Sequence, residues 1–259
     1  MIPPPDDHEV AHSLATGAGE LLLALRAELR DAEPTRLKAE GDRLAHLFLM
    51  NELARLRPDD AVLSEEGVAD EVDATKAVRL GASRAWIVDP LDGTREYSEI
   101  PRDDWAVHVA LAVDGAPVVG AVALPAHGLT LSTWAAPTLP PRHDGPPRFV
   151  ISRTRPPAEA LAVADCLGGE LVEMGSAGAK AMAVVLGHAE VYLHSGGQYE
   201  WDSCAPVAVA LAAGLTCTRL DGSPLRYNRN DPYLPDLLIC RSEFTERVRA
   251  ALDSGPVDR

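Results

Sequence analysis

A chain of 259 residues, 46% of them apolar, is long enough to bury a substantial core as one large domain or two half-sized ones. Its 24 Lys and Arg against 39 Asp and Glu leave a formal charge of −15, which disfavours nucleic acid, so none is expected as a partner, because phosphate backbones are bound by clustered Lys and Arg. No stretch approaches the roughly 20 uninterrupted apolar residues of a membrane helix, and Met1 to Asp7 lacks a charged then apolar leader, so no membrane partner and a cytoplasmic location are expected.

Between Glu9 and Leu29, Val10, Leu14, Ala18, Leu21, Leu22, Leu25 and Leu29 recur at steps of three and four. This predicts a first helix with Asp6 and Asp7 as cap candidates. A second helix is predicted from about Asp42 to Leu56 on Leu44, Leu47, Phe48 and Leu53, stopped by Pro58. Ala61 to Leu63 reads as a short strand delivering Ser64, Glu65 and Glu66. The apolar run Ala85 to Val88 reads as a buried strand ending at Asp89, after which Pro90 and Gly93 force an irregular turn. Trp105 to Val113 and Pro117 to Leu124 flank Asp114-Gly115, the dipeptide suited to a tight hairpin turn. Residues 1–136 are thus expected to form an α+β half with an antiparallel sheet.

Five of the eleven residues 137–147 are proline, which marks a linker or domain seam. From 148 to 259 the order is strand (Phe149 to Ser152), helix (Ala158 to Leu167), strand (Leu171 to Met174), helix (Ala177 to Leu186) and strand (Ala189 to His194). A helix from about Cys204 to Ala213 and a strand from Thr216 to Leu220 follow. This alternation predicts an α/β half with at least partly parallel strands. Cys166, Cys204, Cys217 and Cys240 lie 38, 13 and 23 positions apart, with no zinc or redox spacing, and are expected to be reduced thiols, most of them buried.

The chemistry concentrates on the turn after the buried strand. Asp89 and Asp92, with the Leu91 carbonyl between them, can hold two cations, because hard ions such as Mg²⁺ take oxygen ligands. Gly93 and Thr94 offer backbone N–H groups, and a helix starting at Thr94 would turn them and its dipole toward an anion beside the metals. Singly, an Asp before Pro or at a helix start is a turn former or a cap, and Asp202 alone reads as a cap. The overall acidity disfavours a small phosphate ester unless bound cations reverse the local field, so metal and substrate are expected to bind interdependently.

Asp89-Pro90-Leu91-Asp92-Gly93-Thr94, with Trp201-Asp202 and the later Ala212-Ala213-Gly214, resembles the Mg²⁺-dependent, lithium-sensitive inositol monophosphatase superfamily. Gly93 to Tyr97, Gly175 to Lys180 and Trp201 to Pro206 look most like its 3′(2′),5′-bisphosphate nucleotidases of the CysQ type. The resemblance implies a layered α-β-α-β-α sugar-phosphatase fold and two or three Mg²⁺ ions held by Glu65, Asp89, the Leu91 carbonyl, Asp92 and Asp202. It also implies in-line attack on phosphorus by a water that the cations activate and Thr94 orients, paired with Asp42 and assisted by Glu66. For Thr94 and Asp42 the alternatives are an ordinary N-cap and the start of the second helix. The segment Lys38 to Asp42 departs from the Thr-x-Ala-Asp pattern of relatives.

The same resemblance implies removal of the 3′-phosphate of 3′-phosphoadenosine 5′-phosphate, and action on its sulfated analogue, as a step that clears a by-product of sulfate assimilation. Gly93, Thr94, Ser152, Arg153, Ser176, Lys180 and His194 are the implied substrate contacts, with Lys180 suited to a second phosphate. Arg155 stands where relatives carry His, and the alternative for Lys180 is a solvated surface charge. An inositol or promiscuous sugar phosphatase, including one acting on fructose 1,6-bisphosphate, stays open, as does a non-catalytic module that binds metal and an anion. A homodimer is plausible by analogy. Residues 175–180 lack the ending and spacing of a P-loop, and there is no His-Glu-x-x-His or Gly-x-Ser-x-Gly. Nucleoside triphosphate binding, metalloprotease and serine hydrolase chemistry therefore drop out.

Overall fold

A computed structural model describes residues 6–254, so the reading of Met1 to Pro5 as leader-free lies outside the described residues. Helix α1 (Asp7–Glu28) is capped by Asp6, whose carboxylate accepts the Glu9 N–H at 2.8 Å. It buries Val10, Leu14, Ala18 and Leu22, the face its periodicity predicts. Helix α2 (Pro34–Leu56) begins well before the expected Asp42. Pro34 sits in its first turn, where a missing N–H costs nothing, and Leu37 and Gly41 are already buried. Asp42 therefore lies inside the helix and caps nothing.

Strand β1 (Ala61–Ser64) leads into a 3₁₀ segment, Glu65–Asp70, and helix α3 (Asp73–Gly81) crosses to β2 (Arg84–Asp92). The short helix α4 (Thr94–Ser98) follows, then β3 (Ala106–Val113), β4 (Ala116–Leu124) and β5 (Leu129–Ser132). These strands form one sheet in the order β1-β2-β3-β4-β5; β1 and β2 run parallel, the other neighbours antiparallel. Asp114 (φ 50°) and Gly115 (φ 75°) make the hairpin turn between β3 and β4, both in the left-handed region that such a turn requires.

The second half contains β6 (Arg148–Ser152), α5 (Ala158–Cys166), β7 (Glu170–Met174), α6 (Ala177–Val185), β8 (Val191–Tyr199) and α7 (Glu200–Ala212). It ends with β9 (Thr216–Thr218), β10 (Tyr233–Cys240) and α8 (Thr245–Asp253). Its sheet has the order β7-β6-β8-β10-β9, parallel from β7 to β8 and antiparallel beyond. The alternation read from the sequence holds, with two corrections that matter to the site. Strand β8 runs on past His194 to Tyr199, and α7 starts at Glu200, which brings Trp201 and Asp202 into its first turn.

Five layers result. α1 and α2 cover one face of the first sheet through Leu22, Leu49, Trp86, Val88, Val107 and Val109. α6 and α7 fill the middle, between Ile87, Ala110 and Val122 of the first sheet and Val150, Tyr192 and Ile239 of the second. α5 and α8 close the far face against Phe149, Ile151 and Leu193. The middle core joins residues from both sides of the Pro-rich segment. Gly120 lets α7 lie against β4, since a Cβ there would come 2.7 Å from the Ala205 carbonyl. Cys204 and Cys240 are buried, Cys217 is half-buried and Cys166 is exposed, all as free thiols, so the expectation that most are buried holds for two of the four. No helix among the described residues is long and apolar enough to cross a membrane.

Candidate active site

Strand β2 delivers Asp89 into the middle layer, and its pairing with β3 slips between Asp89 and Asp92, where Pro90 cannot donate to the ladder. Gly93 then takes φ 85°, and the short helix α4 starts at Thr94. Across the layer, the first turn of α7 carries Asp202. Asp89, Asp92 and Asp202 each offer a carboxylate oxygen, and the three oxygens lie within 4.8 Å of one another. Glu65 lies beside the cluster, close enough for its carboxyl and those of Asp89 and Asp92 to act on one another.

Asp89 and Asp202 each have one oxygen tied down, and Asp92 has donors on both. Asp89 Oδ1 accepts the Leu91 N–H at 3.0 Å, and Asp202 Oδ2 accepts the Tyr199 N–H at 2.7 Å, so capping and site duties coexist in Asp202. Asp92 Oδ2 accepts the Ser176 hydroxyl at 2.5 Å and the Gly178 N–H at 2.6 Å, while its Oδ1 accepts only the Ala177 N–H, at 3.1 Å. Coordination capacity remains on the other oxygens of Asp89 and Asp202 and on Oδ1 of Asp92. The first turn of α6 thus grips Asp92, with Ser176 as its N-cap, accepting the Ala179 N–H at 2.9 Å.

The electrostatics follow from packing acids together. Burial first, then Glu65 and Asp92, hold the Asp89 carboxyl well above the usual carboxylate range. Asp202 is pushed up to about 7 by burial and then Asp92, and Glu65 to about 7 by burial, with Asp92 adding to the push. Asp92 goes the other way, to about 2: burial raises it, but the His108 ring and the donors from α6 more than offset that. A cluster that resists ionisation in the absence of cations, built of hard oxygen donors, fits divalent metal ions.

Thr94 Oγ1 donates to the Leu91 carbonyl at 3.1 Å and lies 3.5 Å from Asp42 Oδ1. Burial, and then the neighbouring Glu66, push Asp42 up to about 7. Glu66 itself is exposed. Beside this group opens a cleft of about 620 Å³, lined by Asp92, Gly93, Thr94, Ser152, Ser176, Lys180, His194 and Asp202, with Arg95 and Arg155 at its walls. A second, apolar hollow of about 560 Å³ lies between α2, β1 and α3, and its one acid, Glu71, is paired to Arg79.

The expected substrate contacts are not equivalent. Arg153 is not among the cleft-lining residues: its guanidinium donates to Glu96 Oε1 and Glu99 Oε2, each at 2.7 Å. Lys180 is buried rather than solvated, with Nζ donating to the carbonyls of Gly175 and, at 2.9 Å, Ser176, and lying 5.5 Å from the Tyr192 ring centre. Burial lowers its pKa, opposed by Asp92 and Asp202. His194 Nε2 contacts the Gly196 carbonyl at 2.8 Å, and burial, then Lys180, hold the ring down to about 4, so it is neutral. Ser152 Oγ accepts the Arg155 N–H at 3.2 Å.

Sequence reasoning passed over two residues. Asp104 accepts the Gly175 N–H at 2.6 Å and so fixes the turn before α6. His108, on β3, is completely buried between Asp92 and α7. The signal for His108 was present as a lone polar side chain in the apolar run Ala106 to Leu111.

The pattern of the Inositol monophosphatase family matches residues 6–138 and 149–254. The chain is 51% identical over 246 residues to a 3′-phosphoadenosine 5′-phosphate phosphatase of Mycobacterium tuberculosis, covering 91% of this chain and 89% of that one. It is 33% identical over 205 residues to the 3′(2′),5′-bisphosphate nucleotidase CysQ of Escherichia coli, covering 75% of this chain and 80% of the other. Among solved structures it is similar to CysQ from Bacteroides thetaiotaomicron, with a TM-score of 0.70, 27% identity and coverage of 89% of this chain and 95% of that one. By sequence pattern, by relatives and by layered fold, this chain belongs to the inositol monophosphatase family.

Proposed function

We propose that the chain is a phosphatase dependent on Mg²⁺, two or three ions, that removes the 3′-phosphate of 3′-phosphoadenosine 5′-phosphate to give AMP and phosphate. The observation that carries this reading is the convergence of the Asp89, Asp92 and Asp202 oxygens within 4.8 Å beside a cleft that Asp92 and Asp202 line together with Arg95, Arg155 and Lys180. The M. tuberculosis relative at 51% identity bears the name of that activity.

Glu65, Asp89, the Leu91 carbonyl, Asp92 and Asp202 would hold the cations. When bound, these supply positive charge to attacking and leaving oxygens and acidify the attacking water. Thr94 orients that water through its hydroxyl, and Asp42, raised to about 7, takes up the proton that Thr94 passes on. Gly93 and Thr94 offer backbone N–H groups to the phosphate at the start of α4. Ser176 and the buried charge of Lys180 favour a second phosphate across the cleft, with Ser152 and His194 contributing at its wall. Arg153 acts indirectly by fixing Glu96 and Glu99. A homodimer and a cytoplasmic location complete the reading; sedimentation velocity and cell fractionation test them.

The test is a parallel turnover assay of purified enzyme on 3′-phosphoadenosine 5′-phosphate, inositol 1-phosphate and fructose 1,6-bisphosphate at fixed Mg²⁺. The bisphosphate nucleotide is expected to have the highest kcat/KM, with activity lost in EDTA. Faster hydrolysis of either alternative ester would overturn the substrate assignment and leave the family intact.

A further inference from the structure

Strand β3 alternates strictly. Val107, Val109 and Leu111 face α1 and α2, while Ala106, Ala110 and Ala112 face the middle layer. His108 falls on the second face, so its imidazole enters the space between α6 and α7 with no exposed surface. Its register partner across the strand pair is Asp89, which directs its side chain to the same face. A ring placed there costs free energy unless its nitrogens find partners.

Nδ1 finds a hydrogen-bond partner in the site, whereas Nε2 has none and meets only the charge of a carboxylate. Nδ1 lies 2.9 Å from the carbonyl oxygen of Trp201, an atom that only accepts, so Nδ1 carries a hydrogen. Nε2 lies 3.1 Å from Asp92 Oδ2, a close approach to the carboxylate without hydrogen-bond geometry. There is no slack around the ring, since a Cβ on Gly178 would come 2.0 Å from Nε2. His108 thus sits opposite one aspartate, against the second, and on the carbonyl of the residue that precedes the third.

We infer that His108 is a positioning residue for the cation site, holding Asp92 and the first turn of α7, and with it Asp202, at the separation from Asp89 that a divalent ion requires. The inference rests on the assignment of these aspartates as cation ligands under the proposed function. Ser176 and Gly178 donate to Asp92 Oδ2, the His108 ring abuts the same oxygen, and Oδ1, which accepts only the Ala177 N–H, keeps coordination capacity. Loss of the ring would free the carboxylate to turn and α7 to slide, as happens when outer-shell partners of ligating groups are removed.

Mn²⁺ binding, read from the electron paramagnetic resonance signal of the free ion, tests this in the wild type and in His108→Asn and Gly178→Ala. Asn is too short to reach both Trp201 and Asp92, and Ala at 178 evicts the ring while leaving histidine in place. Each variant is expected to lose on the order of ten- to a hundred-fold in Mn²⁺ affinity. At saturating Mg²⁺, kcat falls while KM for the nucleotide stays within about twofold. A merely structural role would instead lower the unfolding midpoint in EDTA and leave the Mn²⁺ affinity of the folded protein intact, which would overturn the inference. If neither variant folds, ¹⁵N-histidine spectra of the wild type decide: the His108 Nε2 signal is expected to shift on adding Mg²⁺, and an unmoved signal overturns the inference. Failure of the wild type to bind Mn²⁺ at all would instead sink the metal assignment, and this inference with it.

Discussion

Thr94 Oγ1 hangs between two acceptors, the Leu91 carbonyl at 3.1 Å and Asp42 Oδ1 at 3.5 Å, and so couples a proposed cation ligand to a carboxylate raised to about 7. Removing either end of a relay stops it, so Asp42→Asn and Thr94→Val should each lower kcat by about 10²- to 10⁴-fold with little change in KM. The double variant should be hardly worse than either single one, since residues acting as a unit are not additive. Steady-state kinetics of the four proteins check this. Losses that multiply would mean separate roles for the two side chains.

The same raised carboxyls set the pH dependence of the cation-free protein. Asp42 and Asp202 both move from an ordinary 3.8 to about 7, chiefly by burial, so the folded chain holds protons that the unfolded chain releases. That contribution to stability is complete below the unfolded value and is lost as pH rises through about 7. In EDTA the unfolding midpoint should therefore fall between about pH 5 and pH 8. Mg²⁺ needs the ionised carboxylates, so the midpoint rise it produces should be larger at the upper end. Thermal scans across pH, with and without Mg²⁺, check both slopes; a cation-free midpoint that climbs over this range would contradict the assignment.

The turn after β2 was legible because its signals are local: an apolar run, a proline that breaks the ladder, and a glycine with φ 85° opening α4. The hairpin at Asp114-Gly115 was readable for the same reason. What was lost depends on tertiary packing. Strand β10, for which the sequence offered no reading, accommodates Pro235 at a register slip between Leu234 and Asp236. α3 and α8 have only nine residues each, so their apolar period spans little more than two turns, and α8 buries only Val248 and Ala251. His108 looked like one more histidine because its partners lie 16 residues back and 93 ahead in the chain, the first distance being 108 − 92.

Arg155 is the residue that separates the two arginines of the segment after β6. Arg153 is paired to Glu96 and Glu99, whereas Arg155 is exposed at the cleft wall with no ion pair to a carboxylate among the described residues. A free guanidinium at that position suits a second phosphate or the base of a nucleotide. Arg155→Ala should raise KM for 3′-phosphoadenosine 5′-phosphate by about tenfold, the lower range for a charged hydrogen bond given its exposure. Inositol 1-phosphate, with one phosphate, should be turned over unchanged. Equal losses on both esters would place Arg155 at the scissile phosphate instead.

Gly41 offers a test in which helix propensity and packing oppose each other. In an exposed helix interior, Gly→Ala gains up to about 1 kcal/mol. At Gly41, inside α2, a Cβ would come 2.9 Å from Tyr97 Cε1 and 3.0 Å from Leu91 Cδ2. Neither can yield cheaply. Tyr97 is fully buried, donates its hydroxyl to the Leu22 carbonyl at 2.9 Å and meets Trp105 edge-on, and Leu91 belongs to the turn after Asp89, proposed to bind metal. Gly41→Ala should therefore destabilise the protein by about 1–3 kcal/mol, the usual range for overpacking. Because Asp42 follows directly and Leu91 moves with Thr94, kcat should fall as well. Chemical denaturation and turnover of the same preparation check the pair of effects. A variant stabilised as propensity alone predicts would show that α2 can shift away from the turn without disturbing it.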